Sequence, residues 1–246
     1  MGKVRRHNED AFGIFPDPHP DFPFAQGGVF VVADGLGGHA GGEEASRIAV
    51  EVLKTFCPLP MEEGDRGFLE AVQSGHLRIQ EEARRRPELR GMGTTLVAAH
   101  VRNRRCVVLH VGDSRGYLIR EETLQRITRD HTLVEEMIRS GELPPEAIYD
   151  HPDRHILSRA LGVEEALRLD RSPFALKNGD LILLCSDGLT NMLPDETIRR
   201  EILSIGIGDP SAVAQGLIDR ANERGGIDNI TVVVVRAEAV GKKELS

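Results

Sequence analysis

Uninterrupted apolar runs in this chain end, repeatedly, against an acidic residue. Val29-Phe30-Val31-Val32-Ala33 leads into Asp34-Gly35, and Leu181-Ile182-Leu183-Leu184-Cys185 leads through Ser186 into Asp187-Gly188. Val107-Val108-Leu109-His110-Val111 leads into Gly112-Asp113-Ser114. Asp228-Asn229 stands at the opposite end of its run, just before Ile230-Thr231-Val232-Val233-Val234-Val235. Short apolar runs of this kind, bounded by turn residues, predict strands.

Between these runs the spacing becomes helical. Ala45, Ile48, Ala49, Val52, Leu53 and Phe56 recur at helical intervals, and Pro58 ends the pattern. Phe68–Arg86 predicts a second amphipathic helix, with Leu69, Val72, Ile79 and Ala83 on one face. Thr94–Val101, Cys106–Val111 and Gly116–Ile119 predict strands in quick succession, and connections as short as Arg102-Asn103-Arg104-Arg105 predict antiparallel hairpins. A short helix over Thr132–Ser140 is followed by Gly141–Arg154, which carries Pro144-Pro145 and Pro152 and predicts an irregular surface excursion. A strand over Asp180–Cys185, helices near Asp195–Ser204 and Pro210–Arg224, and a strand over Ile230–Ala237 complete the pattern. Strands grouped together and helices grouped in pairs favour antiparallel sheets with helices on their faces over a doubly wound parallel fold. Residues 1–240 are expected to form one domain, and 241–246 a frayed tail.

Composition narrows the partners. The net charge of -8 and pI near 5.6 argue against nucleic acid or an anionic membrane. Cys57, Cys106 and Cys185 are too widely spaced for a zinc knuckle or a disulfide framework. Cys106 and Cys185 are expected as reduced core residues. No apolar run approaches the length of a membrane span and no signal-peptide pattern opens the chain. Arg6 stands where a myristoylation motif needs Ser or Thr. The expected location is the cytoplasm.

Asp-Gly and Asp-Asn are common turn formers, so each aspartate alone is unremarkable. Several acidic turns at strand ends around one core tend instead to converge. Like charges ~4 Å apart cost roughly 4 kcal/mol per pair at an effective dielectric of ~20. Apart from Arg115, no Lys or Arg flanks these turns, so hard divalent cations with oxygen ligands are the natural counter-charge. Gly35-Leu36-Gly37-Gly38-His39-Ala40 formally fits a dinucleotide fingerprint. Asp34 would repel a pyrophosphate, however, and no acidic strand end follows at the ribose distance. No Gly-Lys-Ser/Thr follows for a P-loop.

Six short segments in order carry a resemblance that spans nearly the whole chain. They are Val4-Arg5-Arg6-His7-Asn8-Glu9-Asp10, Val32-Ala33-Asp34-Gly35-Leu36-Gly37-Gly38-His39, Gly91-Met92-Gly93-Thr94-Thr95, Val111-Gly112-Asp113-Ser114-Arg115, Ser186-Asp187-Gly188 and Asp228-Asn229-Ile230-Thr231-Val232. Together they resemble the bacterial branch of the metal-dependent protein phosphatases of the PP2C (PPM) family. The resemblance implies an α+β fold, a four-layer α/β/β/α sandwich of two central antiparallel sheets flanked by helices. It implies Mn²⁺ or Mg²⁺, two ions held tightly and a third more weakly, and hydrolysis of phosphoserine and phosphothreonine esters by a water bridging two cations.

Position by position, the resemblance makes Asp34 a bridging metal ligand, with the Gly35 carbonyl on one ion and Asp187 and Asp228 on the other. Asp113 corresponds to a ligand of the third ion, which Asp187 would share. Glu9 and Asp10 correspond to acidic residues that reach the metals directly or through water, and Arg5 to the arginine that grips the substrate phosphate. Asn229 would support the ligands, and Gly91-Met92-Gly93-Thr94-Thr95 would be structural. Gly141–Arg154 corresponds to a flap that borders the metals.

Two departures stand out. The family's first strand begins several residues further ahead of the arginine motif than Met1 allows, so Arg5 is expected to be poorly held. Leu36 occupies the place where some relatives carry a histidine acid, and His39 is as readily a helix-entry residue, so no side-chain acid is assigned. The expected partners are phosphorylated proteins, including a bacterial Ser/Thr kinase and its substrates, and the expected state is a monomer. Two rivals share these features. One is an idle metal-binding regulator that recognises phosphorylated partners. The other is a phosphatase of a stress-response regulator or of a small phosphate ester.

Overall fold

The computed structural model describes residues 2–16, 27–56 and 64–238, except the side chains of His39, Phe56, Tyr149 and Asp150. Cys57, Pro58 and the tail 241–246 lie outside the described residues. One sheet runs in the order β1 (Asp10–Phe15), β2 (Gly28–Leu36), β4 (Leu96–Arg102), β5 (Arg105–Val111) and β8 (Asp170–Ala175), with the two-residue β3 (Gly93–Thr94) also paired to β2. A second sheet runs β10 (Val232–Arg236), β9 (Leu181–Cys185), β6 (Arg115–Arg120) and β7 (Thr123–Arg126). Every pairing is antiparallel.

The two-residue period of the strands sorts the core into three layers. Val29, Val31 and Ala33 of β2 pack with Ala45, Ile48, Ala49 and Leu53 of helix α1 (His39–Phe56) and with Phe68, Val72 and Ile79 of α2 (Gly64–Arg85). Phe30 and Val32, on the other face, meet Leu118, Ile182, Leu184 and Val233 of the second sheet. Leu181, Leu183 and Cys185 turn outward onto Ile198 and Ile202 of α6 (Asp195–Ile205) and Val213, Leu217 and Ala221 of α7 (Pro210–Glu223). The result is an α/β/β/α sandwich.

Both faces of the central strands are covered, so these runs read as wholly apolar although the sheets are antiparallel. Each fully buried Val or Leu contributes roughly 1.5–3 kcal/mol. An exposed pair such as Arg66–Glu70 contributes at most about 1 kcal/mol. The layering therefore decides the fold.

Several expectations shift. The predicted strand Thr94–Val101 is broken at Thr95, whose amide leaves the ladder to donate to the Asp34 carbonyl at 2.8 Å. The excursion Gly141–Arg154 contains a helical turn, α4 (Ala147–Asp150). It follows α3 (Leu133–Ser140), which is capped by Thr132 through Glu135 N–H and ends at Gly141 with φ of 83°. Strands β1, β7 and β8 have no counterpart in the apolar pattern. All three are sheet edges, and β8 carries Pro173, which an edge tolerates. Asp187 begins a single helical turn, α5 (Asp187–Thr190).

Candidate metal centre

Strand register brings the acidic turns to one rim. In the first sheet Asp10 lies opposite Asp34 across β1 and β2. In the second, Cys185 at the end of β9 is flanked by Arg115 at the start of β6 and Val232 at the start of β10. The residues just beyond those ends are Asp187, Asp113 and Asp228. Gly35 continues β2 past Asp34, and a Cβ there would fall 2.1 Å from the Gly42 carbonyl and 2.7 Å from that of Glu9. Only glycine lets α1 and the Glu9 segment close on this strand.

Hydroxyls and amides lock the carboxylates. The Asp34 amide donates to Thr95 Oγ1 at 3.0 Å, and the Asp34 carbonyl accepts from Thr94 Oγ1 at 2.8 Å. Asp10 Oδ2 accepts from Ser186 Oγ at 2.8 Å and from Thr231 Oγ1 at 2.6 Å, while its buried Oδ1 has no hydrogen-bond partner. Asp187 Oδ2 accepts from Asn191 Nδ2 at 3.0 Å. Asp228 Oδ1 accepts from the Asn229 amide at 2.8 Å. Asn229 in turn accepts the Glu9 amide at 3.0 Å and donates to the His7 carbonyl at 3.0 Å, which ties the N-terminal segment to the second sheet. The Glu9 carbonyl accepts from the Gly35 amide at 3.1 Å and from Ser46 Oγ at 2.7 Å.

The electrostatics are those of acids pushed together. Burial, then repulsion from Asp187, Asp10 and Asp113, lifts Asp34 well above the ordinary carboxylate range. Burial and Asp187 do the same to Asp113. Asp10 is raised to about 6 by burial, against the pull of its Thr231 and Ser186 hydrogen bonds. Burial and Asp228 raise Asp187, while hydrogen bonds from Asp34 and Asn191 oppose the rise. The contact between Asp34 and Asp187 raises Asp34 and opposes the rise of Asp187, the pattern of two carboxyl groups pressed close together.

Arg115, the one basic residue beside these turns in sequence, points instead at Asp130 at 2.7 Å. Arg115 and Arg154 line the cleft beside Asp113 and Asp187, and Arg5 reaches the rim at Asp228, to which it donates at 2.8 Å and by which it is raised. Arg5 is thus tied down, contrary to the expectation of a loose end. The donor set is all oxygen, as Mn²⁺ and Mg²⁺ require.

Thr95, Ser186, Thr231 and Asn191 were not singled out by sequence as individual supports. A hydroxyl that braces a carboxylate across strands leaves no local pattern. A cleft of about 60 Å³ beside Asp113 and Asp187 is also lined by Ile148, Arg154 and His155. The expected flap and the residue after it therefore do border the acidic rim. A larger cavity of about 310 Å³, lined by Phe30, Val101, Leu176 and Val235 among others, contains none of these carboxylates.

Residues 6–204 match the family model described as Protein phosphatase 2C. The serine/threonine phosphatase stp of Listeria monocytogenes serovar 1/2a is 41% identical over an alignment of 248 residues, covering 98% of this chain and 94% of that protein. The crystal structure of the Mycobacterium tuberculosis serine/threonine phosphatase PstP/Ppp superimposes with a TM-score of 0.85 at 36% identity, over 97% of this chain and 95% of that one. The catalytic domain of PstP in complex with two manganese ions superimposes with a TM-score of 0.82 at 34% identity, over 97% and 95%. By sequence over most of its length and by fold over nearly all of it, the chain belongs to the protein phosphatase 2C family.

Proposed function

We propose that the acidic rim holds two divalent cations, Mn²⁺ or Mg²⁺, with a third bound more weakly, and that the protein hydrolyses phosphoserine and phosphothreonine in other proteins. The observation that carries this is the Asp10, Asp34 and Asp187 constellation. Three carboxylates from three strand ends face one another, each raised above the ordinary carboxylate range by burial and by its neighbours. A fold stores such repulsion where a cation relieves it.

Asp34 and the Gly35 carbonyl would hold one of the pair and Asp187 and Asp228 the other, with Glu9 and Asp10 reaching in from β1 and its approach, and Asp113, with Asp187, would hold the weaker ion. Such cations supply a nucleophilic water at neutral pH and neutralise charge on phosphoryl oxygens. Arg5 binds the phosphate through its planar fork, and Asp228 keeps that fork aimed at the rim. Asn229 keeps the Glu9 backbone seated against the second sheet. Cys185 faces the helix layer with its thiol pushed up to about 12 by burial. It offers no thiolate to attack phosphorus.

Phosphate release from a phosphothreonine peptide should require Mn²⁺ and stop with chelator. Asp34→Asn and Asp187→Asn should abolish it, and full turnover in either variant would overturn the assignment. The physiological substrates follow as phosphorylated proteins, a Ser/Thr kinase and its targets among them. A phosphoproteome compared with and without the enzyme tests that. Among the described residues no helix is long and apolar enough to cross a membrane.

A further inference from the structure

A second group of chemistry-bearing side chains lies behind Asp113. Gly112, just before it, has φ of 103°, and a Cβ there would fall 2.6 Å from Thr95 Cβ, so the turn is glycine by necessity. His131 is docked on this glycine twice. The His131 amide donates to the Gly112 carbonyl at 2.8 Å, and the Gly112 amide donates to His131 Nδ1 at 3.2 Å. The far nitrogen, Nε2, lies 3.3 Å from Asp170 Oδ2. His110, opposite Asp170 in the β5–β8 register, packs its ring on that of His131 with centroids 4.8 Å apart.

His110, His131 and Asp170 place ligand atoms within 4.8 Å of one another, a composition that suits a transition metal. The hydrogen bonds argue otherwise. A neutral imidazole has one N–H, and the nitrogen that accepts from Gly112 is the bare one. The proton is then on Nε2, facing Asp170. A metal on Nε2 would drive the proton to Nδ1, head-on against the Gly112 N–H, whereas ligating histidines point that second N–H at an acceptor. The Arg159 guanidinium, 3.6 Å from Asp170 Oδ1 and 3.5 Å from His131 Nε2, adds a fixed positive charge to the same place; with Nδ1 accepting from Gly112, it meets Nε2 as a charge rather than as a donor. Burial lowers His131 against the pull of Asp170, which keeps the ring neutral.

We propose that His131 is a positioning residue for the Asp113 turn: Asp170 fixes its Nε2–H tautomer, and the bare Nδ1 then holds the Gly112 amide and sets where Asp113 points. This role rests on the reading of Asp113 as a ligand of the weaker cation. Asp170 reaches the rim without touching it, through an imidazole whose second nitrogen is bonded to the backbone of the turn.

The test joins a spectroscopic readout to a binding one. Nitrogen-15 NMR of the metal-free protein should show His131 as the Nε2–H tautomer. Calorimetric titration with Mn²⁺ should then compare wild type, His131→Asn, His131→Gln, Asp170→Asn and Asp113→Asn. The Asn oxygen at 131 reproduces the acceptor at the Nδ1 position, so His131→Asn should bind the weakest Mn²⁺ close to wild type. His131→Gln, which lacks that acceptor, should weaken it roughly 10-fold, the scale of lost support behind a ligand. Asp170→Asn, which can donate to Nε2 and so favour the wrong tautomer, should do the same. Asp170 is half exposed, so this variant keeps the test open if substitution of the buried His131 unfolds the chain. An Nδ1–H signal, or a His131→Gln protein that binds Mn²⁺ like wild type, would overturn the relay while leaving the acidic rim intact. Unchanged Mn²⁺ binding in Asp113→Asn would instead sink the ligand reading of Asp113, whatever tautomer is seen. Stoichiometric zinc binding lost in His110→Phe would make the trio a metal site and overturn the relay.

Discussion

Arg5 and Asp228 stand 223 residues apart in the chain, yet Arg5 Nη2 donates to Asp228 Oδ2 at 2.8 Å. The Arg5 side chain is 54% exposed, and pairs of that kind contribute at most about 1 kcal/mol to stability. In the proposed function the contact aims the guanidinium at the substrate phosphate. Removing the fork in Arg5→Ala should take away roughly 1.5–3 kcal/mol of phosphate binding, a fall of about 10- to 100-fold in kcat/KM. The melting temperature should scarcely move. Arg5→Lys should recover only part of the loss, because an ammonium lacks the bidentate geometry. Unchanged kcat/KM on a phosphopeptide in Arg5→Ala would remove this residue from the site.

Ser186 joins three strands through one hydroxyl. It donates to Asp10 Oδ2 at 2.8 Å and accepts the Thr231 amide at 3.0 Å. Ser186→Ala leaves a buried amide without its acceptor and Asp10 with one donor fewer, which should cost about 1–3 kcal/mol. Urea denaturation should show a lower midpoint at unchanged slope. Mn²⁺ affinity should fall with it, because Asp10 loses its fixed orientation. A variant with wild-type midpoint and wild-type affinity would mean that Asp10 is held by other means.

How much of this could be read in the sequence follows from the layering. Central strands buried on both faces print as continuous apolar runs, so β2, β5 and β9 and the aspartates at their ends were visible. The edge strands β1, β7 and β8 leave no such print, although the edge strand β10, a run of valines, does. In β8, Asp170-Arg171-Ser172-Pro173 is mostly exposed and reads as loop. The supports were hidden for a different reason. Thr95, Ser186, Thr231 and His131 act across strands, and only the fold shows what their oxygens and nitrogens touch. Arg115, visible in sequence only as the basic neighbour of Asp113, pairs with Asp130 while lining the cleft beside Asp113 and Asp187.

The segment Gly141–Arg154 supplies Ile148 and Arg154 to the cleft beside Asp113 and Asp187, and His155 follows directly. A phosphopeptide seated on the acidic rim would meet this wall with the residues flanking its phosphate. Replacing Gly141–Arg154 by the corresponding segment of a relative should change preference across a phosphopeptide panel. Hydrolysis of a small ester such as p-nitrophenyl phosphate should stay near wild type, since it does not reach the wall. Unaltered peptide selectivity would return the segment to the status of an ordinary loop.

Metal removal should expose the stored repulsion as a pH dependence of stability. Asp10 titrates near 6 in the folded chain, and Asp34 and Asp113 are also raised. An unfolded aspartate titrates near ~3.9. Between those values the folded state binds more protons than the unfolded one, so stability falls as pH rises. The contribution is complete below about pH 4 and is lost as pH climbs through the folded values, about 6 for Asp10. The melting temperature of chelated protein should therefore decline across this interval. Mn²⁺ at about 100 times its dissociation constant should restore roughly 2.7 kcal/mol at neutral pH. Asp34→Asn removes one of the opposed charges and a ligand together, so it should flatten the decline and blunt the Mn²⁺ gain in the same protein. A chelated wild type that grows more stable through this interval, or one indifferent to Mn²⁺ at neutral pH, would show that these carboxylates neither repel one another nor hold a cation.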